Sequence, residues 1–240
     1  MKNYTKFNLL AFIIPVSLIF NACNTDCKSG SGNQTTENRP VETFSSVEFG
    51  GSYKVIISQD SSSSMKITAD DNIIEDIKTR VSGGVLEISM DGNFCEVGEI
   101  VIELSTKQWL GIEASGASQI TSAGQIKSED FKIDLSGTSS IDLDLVTGTL
   151  RTNSSGSSKI MLRGQARSHD VDFSGTGSVK AFDFVVGDYK ISTSGASEME
   201  INVLNDLKVK TSGASKVSYK GSPKNVSNDE SGSSEVIKVQ

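Results

Sequence analysis

The chain has 240 residues, 36% hydrophobic, 6% aromatic and 22% charged, with 22 Gly but only 3 Pro, a composition that fits a globular protein and excludes a bundle of membrane-spanning helices. Lys and Arg number 23 against 30 Asp and Glu, and a balance of −7 gives no basic footprint for nucleic acid. One His, one Trp and three Cys leave little from which to build a zinc site, a Ser-His-Asp triad or a Cys-His pair, so neither metal nor cofactor is expected.

The first element is a leader. Lys2 and Lys6 give a positive start, Phe7 to Phe20 is mostly apolar, and Ala22 directly precedes Cys23, so residues 1–22 read as a secretory signal. The apolar run contains Pro15 and falls short of the roughly 20 residues a membrane span needs. The residues Ile19-Phe20-Asn21-Ala22-Cys23 resemble a bacterial lipobox, in which the Cys is acylated and becomes the new N-terminus. Phe20 and Asn21 depart from the usual Leu and small residue there, while Phe20 also fits poorly three places before an ordinary signal-peptidase cut. Several acyl chains on Cys23 would hold the protein firmly on a membrane. The expectation is a lipid-anchored protein of a bacterial cell envelope, at the outer membrane. Loss of Lys2 and Lys6 lowers the charge to −9.

Residues 23–40 read as a flexible tether. The stretch from Asn24 to Pro40 has no aliphatic side chain with which to bury surface, and as a coil it would reach on the order of 20–25 Å. Cys27 in this tether and Cys95 in the folded part are expected as free or buried thiols: export permits a disulfide, but a mobile tether and a distant loop have no evident reason to meet.

Residues 41–110 alternate apolar and polar side chains, as in Val47, Phe49, Tyr53, Val55 and Ile57, the period of half-buried strands. Only Asp71 to Arg80 looks helical, with Ile73, Ile74 and Ile77 behind a capping Asp.

From residue 111 to 240 a tetrad of the form Ser-Gly-x-Ser recurs seven times, with Gly177 replacing the last Ser in the fourth copy. Its glycines are Gly116, Gly137, Gly156, Gly175, Gly195, Gly213 and Gly232, at intervals of 21, 19, 19, 20, 18 and 19 residues. Around the second copy Ile133, Leu135, Ile141, Leu143 and Leu145 share one parity, and Lys132, Asp134, Asp142 and Asp144 share the other. The same parity places the Gly and the last Ser of the tetrad inward, where a bend leaves room for little more than hydrogen. A unit of about 19 residues cannot bury its apolar face alone, whereas stacked copies bury it continuously. No helical period fills the second half of any unit, which sets leucine-rich repeats aside. The fold class expected is all-β: a right-handed, single-stranded parallel β-helix, a solenoid with rungs of about 19 residues, comprising irregular N-terminal rungs (41–110) and seven repeat rungs (111–240).

The outward residues three before each glycine are Glu113, Asp134, Asn153, Asp172, Ser192, Lys210 and Asp229. They form one surface column whose carboxylates Glu113, Asp134 and Asp172 are candidates for a Ca²⁺ or sugar contact, although Asn153 and Lys210 suit a plain solvated face. His169 sits in the polar link Arg167-Ser168-His169-Asp170, with no second His to make a metal or acid/base pair. Trp109, Phe182, Phe184 and Tyr189 suit either a sugar platform or packing at rung corners.

The strands Phe44–Phe49, Tyr53–Gln59, Ile67–Ile74 and Gly84–Ile88, followed by the Ser-Gly-Ala-Ser repeats, resemble the putative auto-transporter adhesin "head GIN" domain family over about residues 41–240. That resemblance implies an exported β-helical protein, often a lipoprotein, with no established catalytic residues. Two function classes follow. One is a non-enzymatic envelope module, adhesin-like or structural, for glycan or protein partners. The other is a carbohydrate-active enzyme on a β-helix, disfavoured because intervals of 18–21 leave no long insertions to carry a site.

Overall fold

In the computed structural model, which describes residues 27–240, the alternating segments become twelve strands. The expected signal 1–22 and Cys23 lie outside the described residues. The strands are β1 (Gln34–Arg39), β2 (Ser46–Gly51), β3 (Lys54–Gln59), β4 (Ser64–Asp70), β5 (Ile77–Ser82), β6 (Val85–Met90), β7 (Val101–Thr106), β8 (Gly111–Gly116), β9 (Gln119–Gly213), β10 (Lys216–Gly221), β11 (Asn225–Glu230) and β12 (Glu235–Lys238). All belong to one sheet. The protein is all-β, but the sheet is mixed rather than purely parallel: β1 pairs antiparallel with β4, β4 with β7, and β5 with β6. The antiparallel pairs are confined to the N-terminal part. Gly83 and Gly84, at φ of +58° and +80°, form a two-residue hairpin turn between β5 and β6, which needs no crossover.

Elsewhere the ladder is parallel. Strand β2 lies beside β6 and β8, β3 beside β7 and β9, β8 beside β9, and β9 beside β10 and β11. Strand β9 turns repeatedly, and links between successive repeats are backbone hydrogen bonds such as Ser140 N–H to Ser118 O at 2.8 Å and Ala214 N–H to Gly195 O at 2.8 Å. Side chains of one parity, among them Phe131, Ile133, Leu135, Ile141, Leu143 and Leu145, are buried in a continuous apolar core.

The helix expected at 71–80 is absent. A single 3-10 turn spans Ile74–Asp76, and Ile77 is extended at φ −76°, ψ 108°. Strand β6 offers a free edge, and the β-branched residues Thr79 and Val81 pair along it opposite Ile88 and Leu86. Ile73, Ile74 and Ile77 are still buried.

The tetrads make corners, and their glycines do not face the core. In the third copy Ser154 and Ser158 are buried while Ser155, Gly156 and Ser157 are exposed. The glycine requirement comes from the neighbouring copy's backbone. All seven glycines have φ between +78° and +119°, and a Cβ on any of them would lie 2.3–2.5 Å from the carbonyl oxygen of the preceding glycine in the column, beginning with Gly51. A left-handed backbone and a close approach thus coincide at one residue. The last Ser of the tetrad is inward as its parity requires: Ser118, Ser139, Ser158, Ser197 and Ser215 are buried, and Ser118 Oγ donates to Gly51 O at 3.1 Å. Gly177 breaks this series because a Cβ there would meet Ser158 O at 2.1 Å and the Phe173 ring at 2.9 Å. The larger Phe173 fills the space a serine holds in other copies.

The stretch 27–40 is not a free tether. Cys27 and Cys95 form a disulfide, contrary to the expectation of two separate thiols. Lys28 N–H donates to Asn93 O at 2.8 Å, Gly30 N–H to Glu96 O at 2.7 Å, and β1 extends the sheet along β4. Pairing polar β1 residues along an open edge requires no apolar side chain. At the other end β11 stacks Val226, Asn228 and Glu230 over Leu207, Val209 and Thr211, and the Asn228 amide donates to the Glu230 carboxylate. Strand β11 is exposed along its whole length, its polar Asn228 and Glu230 lying beside Val209 and Thr211, while Val236 of β12 packs against the core.

Candidate functional site

Strand register brings carboxylates of distant segments side by side. Glu87 on β6 lies opposite Glu48 on β2, Glu48 opposite Glu113 on β8, and Glu113 opposite Asp134 on β9. Neighbouring strands are about 4.8 Å apart, so four like charges stand in one row. Asn153 continues it, its amide donating to Asp134 Oδ1 at 2.6 Å. Glu113, Asp134, Asn153 and Asp172 line one surface groove of about 270 Å³ with Ser136, Ser155 and Ser174. Of the column read from the sequence, Ser192, Lys210 and Asp229 lie beyond this groove. Glu48 and Glu87 were missed because counting tetrads starts at Ser115. The signal was present in Val47-Glu48-Phe49-Gly50-Gly51, which parallels Ile112-Glu113-Ala114-Ser115-Gly116.

Cations relieve the two ends of the row. Arg80 pairs with Glu87 at 2.7 Å and Lys132 pairs with Asp134. The hydrogen bond to Asp134 holds the Lys132 ammonium above its ordinary pKa, with the charges of Asp134 and Glu113 adding to it. Among the described residues, Glu48, Glu113 and Asp172 have no ion-pair partner. Like charges directly opposite one another are destabilising in a sheet, and the ion pairs offset this only at the two ends of the row. It does not make a metal cage: among the described residues no three His, Cys, Asp or Glu side chains converge on one point.

The other candidates are internal. His169 is not in a polar link but 1% exposed. Its Nε2 lies 2.9 Å from Thr152 Oγ1, and its ring packs on Tyr189 at 5.0 Å and edge-on to Phe184 at 6.0 Å. Burial lowers its pKa to about 3 and raises that of Tyr189, so both stay neutral at physiological pH. Trp109 is fully buried, with Nε1 donating to Ser58 O at 2.7 Å, and Phe184 and Tyr189 are buried too. Only Phe182 keeps an exposed part, and Lys220 Nζ sits 4.4 Å over its ring. These aromatics do not form a sugar platform.

A second groove, about 470 Å³, lies between the β2–β3 turn and the 90–100 loop. It is walled by Tyr53, Met90, Phe94, Val97 and Ile100, and bounded by the disulfide at Cys95. The Tyr53 hydroxyl is buried there without a hydrogen-bond partner, and desolvation raises its pKa.

The family described as "Putative auto-transporter adhesin, head GIN domain" matches residues 43–223. The chain belongs to that family. Solved structures share the GIN-domain fold. A putative adhesin from Bacteroides fragilis is 20% identical at a TM-score of 0.85, over 88% of this chain and 100% of that one. A putative adhesin from Parabacteroides merdae is 19% identical at 0.67, over 90% and 100%. A "putative lipid binding protein" from Parabacteroides distasonis is 17% identical at 0.66, over 89% and 99%. No curated protein matches the chain. Membership in an adhesin family points to the cell surface or envelope.

Proposed function

We propose that this GIN-domain chain is a non-enzymatic envelope lipoprotein, anchored through Cys23 at the outer membrane, that binds a glycan or protein partner along its carboxylate row. The observation that carries the reading is the row itself: Glu48, Glu113 and Asp134 are held in register at a cost to stability, next to a groove lined by Asp172 and serine hydroxyls. Surfaces that sacrifice stability for a fixed charge pattern are those used to recognise something. A partner that presents cationic or hydrogen-bond-donating groups at a strand spacing complements it.

The parallel ladder reads as a right-handed single-stranded β-helix. Support comes from each tetrad glycine from Gly137 to Gly232 lying against the one before it at intervals of 18–21 residues. Export is supported by the Cys27–Cys95 disulfide, since such bonds persist in oxidising compartments.

The test replaces Glu48, Glu113 and Asp134 by Gln, Gln and Asn together. Removing the repulsion should raise the free energy of unfolding measured in urea, by at most about 1 kcal/mol for each like-charged pair relieved, while binding on glycan and extracellular-protein arrays is lost. A triple variant that binds like the parent would refute the site. Among the described residues the most strongly shifted groups, His169 and Tyr189, are buried in the core and away from the groove. Polysaccharide turnover that disappears with Asp134→Asn or Asp172→Asn would reverse this choice.

A further inference from the structure

The disulfide changes the geometry of the anchor. Read from the sequence alone, the chain between Cys23 and the fold is long enough for the body to drift and tumble. In the structure Cys27 is bonded to Cys95, and the next residues are fixed by hydrogen bonds from Lys28 to Asn93 and from Gly30 to Glu96. Only Asn24, Thr25 and Asp26 separate Cys23 from that fixed point. Fully extended, the step from Cys23 to Cys27 spans at most about 14 Å. The headgroup layer that an acylated Cys must cross takes up about 5–7 Å of it. Cys27 therefore has less than about 10 Å of clearance above the headgroups, against a 20–25 Å coil for a free tether.

We propose that the disulfide-bearing end of the protein is a membrane-facing surface that rests on the phospholipid headgroups, with the opposite end, β11 and β12, directed away. The proposal rests on the lipid-anchor reading above. What this end presents suits an interface. Phe94 lines both the apolar groove of Tyr53, Met90 and Val97 and the adjoining depression with Cys27 and Lys28. Phe94 is half-buried, and an apolar ring presented at a surface gains by entering the boundary between headgroups and acyl chains. The disulfide-bearing end presents no cationic patch: Lys28 pairs with Asp76 at 2.5 Å and Lys54 with Glu99 at 3.5 Å, while Asp91 and Glu96 of the 90–100 loop are exposed. Contact therefore owes nothing to anionic lipid and persists in uncharged bilayers at high salt. The carboxylate row then runs outward from the membrane, so its Asp172 end is the part farthest from the lipid.

The test uses the full, acylated chain in phosphatidylcholine vesicles that carry an acceptor dye on some headgroups. A donor dye is placed through Lys54→Cys at the groove rim or through Lys238→Cys in β12, both exposed. The two positions are about seven strand spacings, or about 34 Å, apart along the ladder. Energy transfer to the headgroups should be severalfold stronger from position 54, and unchanged by salt. Inserting a Gly/Ser segment of about twelve residues after Asn24, with a reach of about 20 Å, should abolish the difference. Equal transfer from both positions in a vesicle-bound chain overturns the orientation and leaves the anchor standing. A chain that fails to float with vesicles, or a Cys23→Ser variant that floats equally well, overturns the anchor reading and the orientation with it.

Discussion

Gly156→Ala isolates the physical reason for the tetrad. The Cβ it introduces would sit 2.5 Å from Gly137 O and 3.0 Å from Gly137 N, on a backbone at φ +106°. Two costs overlap there: an L residue forced into a region open to glycine, about 1–3 kcal/mol, and overpacking against a neighbouring backbone, about 1–3 kcal/mol more. Two other glycines separate them. Gly124 has nearly the same φ, +105°, with nothing within 4 Å of an added methyl group, so Gly124→Ala carries only the backbone cost. Gly148 has no left-handed φ but would place Cβ 2.6 Å from Glu129 O, so Gly148→Ala carries only the collision. The exposed neighbour substitution Ser157→Ala should stay within about 0.5 kcal/mol. Urea unfolding followed by circular dichroism, with slopes compared to confirm an unchanged transition, should rank Gly156→Ala as the most damaging, about 2–6 kcal/mol below the parent. If Gly156→Ala loses no more than Gly124→Ala, the rung-to-rung approach is not what demands glycine, and the stacking argument fails.

Replacing Cys27 and Cys95 together by Ser, which opens a 68-residue separation, should cost about 2–4 kcal/mol; a melt insensitive to reductant would show that the bond is not formed. His169 should make the fold acid-sensitive. Its folded pKa of about 3 lies below the unfolded value of 6.5, so between those values protons bind the unfolded chain preferentially and stability falls as pH drops. From pH 6.5 to 5 that loss is about 1.6 kcal/mol, because the full slope of about 1.4 kcal/mol per unit is reached only below the unfolded pKa, and His169→Leu should remove most of it in paired urea titrations; an unchanged slope would contradict a buried neutral imidazole. At the last rung, Glu230→Leu removes the acceptor of Asn228 and bares an apolar edge. Light scattering should then detect concentration-dependent association, and a strictly monomeric variant would count against a polar edge that blunts pairing.

Local chemistry made much of this protein legible in one dimension. Alternation of side chains along Ile133 to Leu145 is enough to assign strands and an inward face, because a strand has a period of two wherever it lies. The near-constant interval between tetrads, 18–21 residues, gives the stacking partner of each copy, since a repeat can bury its apolar side only against its neighbours. The seven glycines were found for the same reason, but their role was misread: parity alone cannot distinguish a residue facing the core from one at a corner facing the next copy's backbone. Everything that depends on which remote segment fills an edge had to wait for the tertiary structure. Asp71 to Arg80 has a helical pattern, yet the open edge of β6 outcompetes a short helix. The polar stretch before Val41 has no hydrophobic reason to fold, yet backbone pairing to β4 and a disulfide to Cys95 hold it. His169 looks solvated among charged neighbours, yet its strand turns the ring inward onto Tyr189. Glu48 and Glu113 are 65 residues apart and become neighbours only through the β2–β8 register. Sequence sets what each segment can bury or expose, while long-range pairing, which costs loop entropy and is settled only by the whole sheet, decides which segments meet.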